Sequence, residues 1–194
     1  PKAPMPIITV PKFELTEFAP LITGLSQIVA SPEPKTFEEM DMGWGTMTYT
    51  TFLPEIKSQS VLTGEFHDFA QVLIDGKYIG KIDRVKNAKS LTLPPVREDA
   101  ELSIIVEGMG RINFGRAIKD FKGIIGDVTI SAEYDGNKVV WTPQEWYTSG
   151  IPDDYEVAKK ALDNAQEYNK YVSEIPHIGG TELVMKPGYY RGYF

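Results

Sequence analysis

Between Gly45 and Trp141 the chain is a succession of short β patterns broken by turn residues, with no helical periodicity between them. This constrains the fold more than any other feature. Thr46–Phe52 places β-branched and aromatic residues two apart and stops at Pro54, as a half-buried strand does. Phe69–Asp75 and Tyr78–Asp83 flank Asp75-Gly76, and an Asp-Gly step between apolar runs is the strongest short-range hairpin signal. Ser90–Leu93 and Glu101–Glu107 follow. Asp127–Glu133 and Lys138–Trp141 close a last hairpin through Asp135-Gly136-Asn137. Short strands without intervening helices predict an antiparallel β-sandwich, not βαβ units.

The strand at Glu101–Glu107 runs into a loop with glycines at 108, 110 and 115, followed by the charged cluster Lys119-Asp120-Phe121-Lys122-Gly123. Glycines at this density allow φ > 0 and close approach to another surface. Around the sandwich the pattern changes. Residues 1–30 are read as a Pro-rich connector, because Pro1, Pro4, Pro6, Pro11 and Pro20 forbid helix or central strand there. Residues 31–141 form the sandwich. Residues 142–194 form a second connector with one helix over about 154–172, capped by Asp153 or Asp154, with apolar positions at Tyr155, Ala158, Leu162, Ala165, Tyr168 and Val172. The chain then reaches Pro187–Phe194, which reads as the opening of a strand with nothing after it to pair with.

Composition removes several classes. A net charge of −7 disfavours a phosphate backbone as partner. No apolar run approaches the ~18 residues of a membrane helix. With no cysteine there is no thiolate chemistry, and His67 and His177 make no metal spacing. No metal or cofactor is expected.

Four pieces in order carry a resemblance. They are Gly43-Trp44-Gly45 with Tyr49-Thr50-Thr51; His67-Asp68-Phe69-Ala70-Gln71-Val72; Asp75-Gly76-Lys77-Tyr78-Ile79-Gly80; and the run from Glu107 through Met109, Gly110, Arg111, Asn113, Phe114 and Gly115 to Lys119-Asp120-Phe121-Lys122-Gly123. Together the chain resembles the first non-catalytic region of β-galactosidases of glycoside hydrolase family 35. Gly108 stands where that family usually has Asn, Thr50 where it has Arg, and Phe69 where an Arg follows His-Asp.

The resemblance implies an all-β, antiparallel jelly-roll (galactose-binding-like) sandwich with one C-terminal helix and the start of a second sandwich. It implies a parent enzyme that hydrolyses terminal β-D-galactose residues with retention. That chemistry uses two carboxyl groups about 5–5.5 Å apart, and in the family both lie on a catalytic barrel ahead of this region. The chain is therefore expected to be part of a longer polypeptide. Its expected partners are the barrel, the second sandwich and, through the parent, a galactoside; periplasm or secretion is the expected location.

Acids within the chain do not replace that pair. Glu38 and Glu39 are sequence neighbours whose side chains diverge, Asp153 and Asp154 suit a helix cap, and Glu65, His67 and Asp68 lack a nucleophile or metal partner and read as structural hydrogen bonding. Catalytic residues are expected to be absent. The residues assigned an indirect role are Arg111, Asn113 and Phe114, with Lys119, Asp120 and Lys122 beside them. They either form a substrate-pocket or interdomain loop, in which Phe114 walls the galactose pocket, or they tie the loop together while Phe114 fills the sandwich end. Trp44, Trp141, Trp146 and Tyr147 are candidate sugar-stacking rings; Trp141 ends a strand and reads as core, whereas Trp146 and Tyr147, beside Pro143 and Gly150, suit that role better. Tyr189, Tyr190, Tyr193 and Phe194 are expected to face the second sandwich. An autonomous carbohydrate-binding module is the alternative reading.

Overall fold

The computed structural model describes residues 11, 13, 15–21, 27–116, 118–151, 154–164 and 188–193. Its strands are β1 (Leu15–Pro20), β2 (Val29–Ser31), β3 (Gly45–Leu53), β4 (Ser60–His67), β5 (Phe69–Ile74), β6 (Lys77–Asp83), β7 (Ser90–Leu93), β8 (Ala100–Gly108), β9 (Gly123–Tyr134), β10 (Asn137–Trp141), β11 (Trp146–Ile151) and β12 (Gly188–Gly192), with one helix, α1 (Tyr155–Asp163). The chain divides into two compact units, one over 25–153 and one built from 1–24 with 154–194.

The larger unit is the antiparallel sandwich that the strand spacing predicts. One sheet runs β2-β11-β3-β8-β5-β6 and the other β10-β9-β4-β7. Alternation along each strand fills the space between them. Met47, Tyr49 and Leu53 of β3, Leu102, Ile104 and Val106 of β8, and Ala70, Val72 and Ile74 of β5 meet Leu62 and Phe66 of β4 and Ile124, Val128 and Ile130 of β9. Each large side chain so buried contributes roughly 1.5–3 kcal/mol. A one-residue slip would turn every one of them outward, so burial fixes the register. Both predicted hairpins form on two-residue turns with positive φ at each position, 48° and 73° at Asp75-Gly76 and 48° and 78° at Asp135-Gly136. Those mirror-image turns match the twist of the flanking strands.

The sandwich is longer than 31–141. β2 lies inside the stretch read as a connector, and β11, beyond Trp141, sits between β2 and β3 with Tyr147 opposite Thr50 and Ile151 opposite Thr46. Strand β4 has no counterpart in the sequence reading. It pairs with both β7 and β9, and a register shift between Thr63 and Glu65 interrupts the alternation that would have revealed it.

In the smaller unit β12 does find a partner. It pairs antiparallel with β1, Phe18 opposite Tyr190 and Pro20 opposite Gly188. The strand opening at Gly188 therefore pairs with the Pro-rich segment, whose Pro20 stands at the strand end where a missing N–H is tolerated. Asp154 caps α1 by accepting from the Glu156 N–H at 2.7 Å. Ala161 and Leu162 bury against Ala19 and Tyr189. Phe18 and Tyr190 pack with ring centroids 5.0 Å apart. Tyr193 is exposed. The predicted continuation of the helix to 172, His177 and Phe194 lie outside the described residues.

Candidate functional site

Three loops meet at one end of the sandwich, because Gly45 pairs with Gly108, Thr36 bridges Gly123 and His67 pairs with Gly123. The loop between β8 and β9 leaves Gly108 and returns at Gly123, and its two ends differ in chemistry.

The root of the loop is an ion-pair network. Lys122, only 4% exposed, places Nζ 2.6 Å from Asp68 Oδ2 and 2.8 Å from Asp120 Oδ2. Arg84, in a short 3-10 turn that Asp83 caps, donates to Asp68 Oδ1 and Asp120 Oδ1, each at 2.8 Å. Asp68 Oδ2 also accepts from the Met109 N–H at 2.9 Å. Burial works against ionisation of Asp68, but Lys122, Arg84 and the Met109 amide outweigh it and hold its carboxyl below the usual range. Asp120 is held far below that range, chiefly by Arg84, and Arg84 is pushed up in turn. Two oppositely charged pairs thus meet at one site, the Lys122, Asp68 and Asp120 side chains largely buried and Arg84 39% exposed, with their hydrogen bonds made, the condition under which buried charge is tolerated. His67 completes the root. Its Nδ1 donates to the Phe121 carbonyl at 2.6 Å and its Nε2 lies 2.9 Å from Glu65 Oε1.

Beside it a second clamp holds the neighbouring loop. The Glu38 carboxylate receives the Lys122 N–H, at 3.3 and 3.2 Å to its two oxygens, and pairs with Arg111. Arg111 also donates from Nε to the Gly43 carbonyl at 3.0 Å. Gly123 is required here. Its φ is +98°, and a Cβ would fall 2.2 Å from the hydroxyl of Tyr49, which bonds the Lys35 carbonyl at 2.8 Å.

The tip is the reverse. Phe114 is 91% exposed, and Met109, Ile112, Ile118 and Phe121 are exposed with it. Trp44, next to the carbonyl that Arg111 holds, is 73% exposed. Six large apolar side chains thus stand exposed at this end of the sandwich.

Of the residues singled out in the sequence, Asp120, Lys122 and Arg111 converge as structural anchors. Lys119 sits 4.9 Å over the Phe121 ring, and Asn113 is exposed. Phe114 does not fill the end of the sandwich. Glu38 and Glu39 separate as expected, Glu38 toward Arg111 and Glu39 toward Thr36 and Lys35. Trp146 is a correction. It is 1% exposed, because β11 is a sheet strand and turns this ring into the core. Tyr147 points the other way. It meets Phe52 edge to face at 6.3 Å, on a cleft of about 400 Å³ that Ile28, Thr48, Thr50 and Ser149 also line. Trp141 packs against the core. Arg84 and the partnership of Asp68 with Lys122 were missed, because those residues are far apart in sequence and carry no shared motif.

A profile of the β-galactosidase first all-β domain matches residues 34–142, a span that holds both root and tip. The chain belongs to this family. β-Galactosidase of Mus musculus is 30% identical across all of this chain, and β-galactosidase of Homo sapiens is 36% identical over 54% of it. β-Galactosidase 8 of Oryza sativa subsp. japonica is 32% identical over 56% of it. The chain spans only 30%, 16% and 18% of those three proteins. Tyr147 and the smaller unit lie outside the matched span of the β-galactosidase domain.

Proposed function

We propose that this chain is the non-catalytic accessory region of a β-galactosidase that hydrolyses terminal β-D-galactose residues with retention, and that the β8–β9 loop supports and partly shapes the active site on the catalytic part of the same polypeptide. The observation that carries this reading is Phe114. A ring 91% exposed at the end of a loop whose root is buried and ionically clamped is held out for another surface. An aromatic face presented in this way can stack on the apolar side of a galactose ring. The family membership supports the parent activity, since the named relatives are β-galactosidases.

Phe114→Ala in the full-length enzyme tests it. The expected result is a fall in kcat/KM of about tenfold, equivalent to about 1.4 kcal/mol of lost transition-state stabilisation, at unchanged stability of the sandwich. Unchanged kcat/KM would overturn the reading and leave the domain a scaffold without a part in the site.

One observation favours a second reading, an autonomous carbohydrate-binding module. Among the described residues, the cleft beside Tyr147 and Phe52 is lined without any charged side chain, and rings flanked by hydroxyls suit a neutral sugar. Titration calorimetry with galactose and galactan oligomers decides between them. Heat of binding that Tyr147→Ala removes would favour the module.

A further inference from the structure

The tip of the β8–β9 loop carries a charge signature as well as an apolar one. Between Met109 and Lys122 the loop has four cations, Arg111, Arg116, Lys119 and Lys122, and one anion, Asp120. Two of the cations are neutralised within the chain, Lys122 by Asp68 and Asp120 and Arg111 by Glu38. Arg116 and Lys119 have no ion pair among the described residues, and both are exposed. Lys119 rests on the Phe121 ring, an interaction that orients its charge without cancelling it. A chain of net charge −7 therefore presents, on a loop with Met109, Ile112, Phe114 and Ile118 exposed, two positive charges flanking Ile118 that have no ion pair among the described residues.

From this arrangement we infer the chemistry of the surface that the loop meets: an apolar floor that takes Phe114, Met109 and Ile118, rimmed by carboxylates that meet Arg116 and Lys119, on the catalytic part of the parent β-galactosidase. The inference rests on the function proposed above and specifies its partner surface. Apolar anchors at the centre with charges at the rim is the usual anatomy of a specific interface, and rim charges select the partner by complementarity. The relatives leave ample polypeptide to supply that surface, since this chain covers 30% of the mouse protein and 16% of the human one. A second copy of this chain is the poorer occupant. A two-fold contact centred on the tip would set Arg116 and Lys119 against their own copies, like charge against like.

The experiment uses the full-length enzyme carrying Arg116→Glu with Lys119→Glu, melted at about 0.05 M and about 1 M salt, where the Debye length falls to about 3 Å. At low salt the charge reversal is expected to lower Tm by about 2–4 °C and at high salt to change it by less than about 1 °C. No difference at low salt, or a difference that salt leaves untouched, overturns the carboxylate rim. Phe114→Asp in the same enzyme separates the two levels of the account. If it lowers Tm at both salt concentrations while the charge reversal does nothing, docking stands and the acidic rim falls. If Phe114→Asp is silent, the docking itself is wrong. Self-association of the enzyme that Phe114→Asp abolishes would make a second copy the occupant and overturn the inference.

Discussion

The root and the tip of the β8–β9 loop are joined by a handful of residues and have opposite physics. At the root the Lys122, Asp68 and Asp120 side chains are largely buried and every charge meets an opposite one, whereas at the tip Phe114 and Ile118 are largely exposed to water. The root spends its interactions on holding the loop in place. Among the described residues the tip makes few, and under the proposed function its side chains serve another surface. The contrast separates residues that a stability measurement will find from residues that it will miss.

Lys122→Met should break the root hardest. It leaves Asp68 and Asp120 buried with only Arg84 to neutralise both, and removing one member of a buried ion pair costs about 3–5 kcal/mol. Urea unfolding measures it, and a loss under about 1 kcal/mol would mean that the network is not closed to water. Gly123→Ala comes next, at about 2 kcal/mol or more, because the added Cβ meets the Tyr49 hydroxyl at a positive φ. Thermal melting reads that change directly.

The pH dependence of the root has a defined sign. Asp68 and Asp120 titrate below the ordinary aspartate value of 3.8 in the folded chain, so the folded state binds fewer protons than the unfolded one near that value. Their contribution is fully present above about pH 4–5 and is lost as pH falls through the folded values. Tm followed from pH 7 to pH 2 should show a fall below pH 4 that Asp120→Asn flattens. A fall that the variant leaves unchanged would place the acid sensitivity elsewhere. Arg111→Ala should cost only about 1 kcal/mol, since Arg111 and Glu38 are both partly exposed. Amide exchange should then speed up in both 38–44 and 109–116, the two segments that this side chain ties. The smallest effect belongs to the tip. Phe114→Ser in this chain should change unfolding free energy by less than about 0.5 kcal/mol, and a larger loss would place Phe114 with the root.

The sequence exposes the parts of the fold that local chemistry controls. Asp75-Gly76 and Asp135-Gly136 specify their turns unaided, and β3 and β8 are legible because Met47, Tyr49, Thr51 and Leu53 of one and Leu102, Ile104 and Val106 of the other stand two apart and are all buried. Strand β4 hides because Gly64 and the shift at Thr63–Glu65 break its period, and β11 hides because Trp146 to Gly150 reads as a polar loop until its partners β2 and β3 are known. The same limit applies at the site. Asp120 and Lys122 are visible as a charged cluster, but their partners Asp68 and Arg84 come from other strands and turns, and only the folded chain brings them within 3 Å. Phe114 announces itself as an aromatic in a glycine loop. Whether it turns in or out depends on how the root fixes the loop, which no local pattern encodes.

Hydrolysis of a chromogenic β-galactoside by these 194 residues, purified alone, tests the central claim most directly. A sandwich that only supports a catalytic site carried elsewhere should show no turnover above the uncatalysed rate at any pH. Turnover at an enzyme-like rate, about 1 s⁻¹ or faster, would contradict that account.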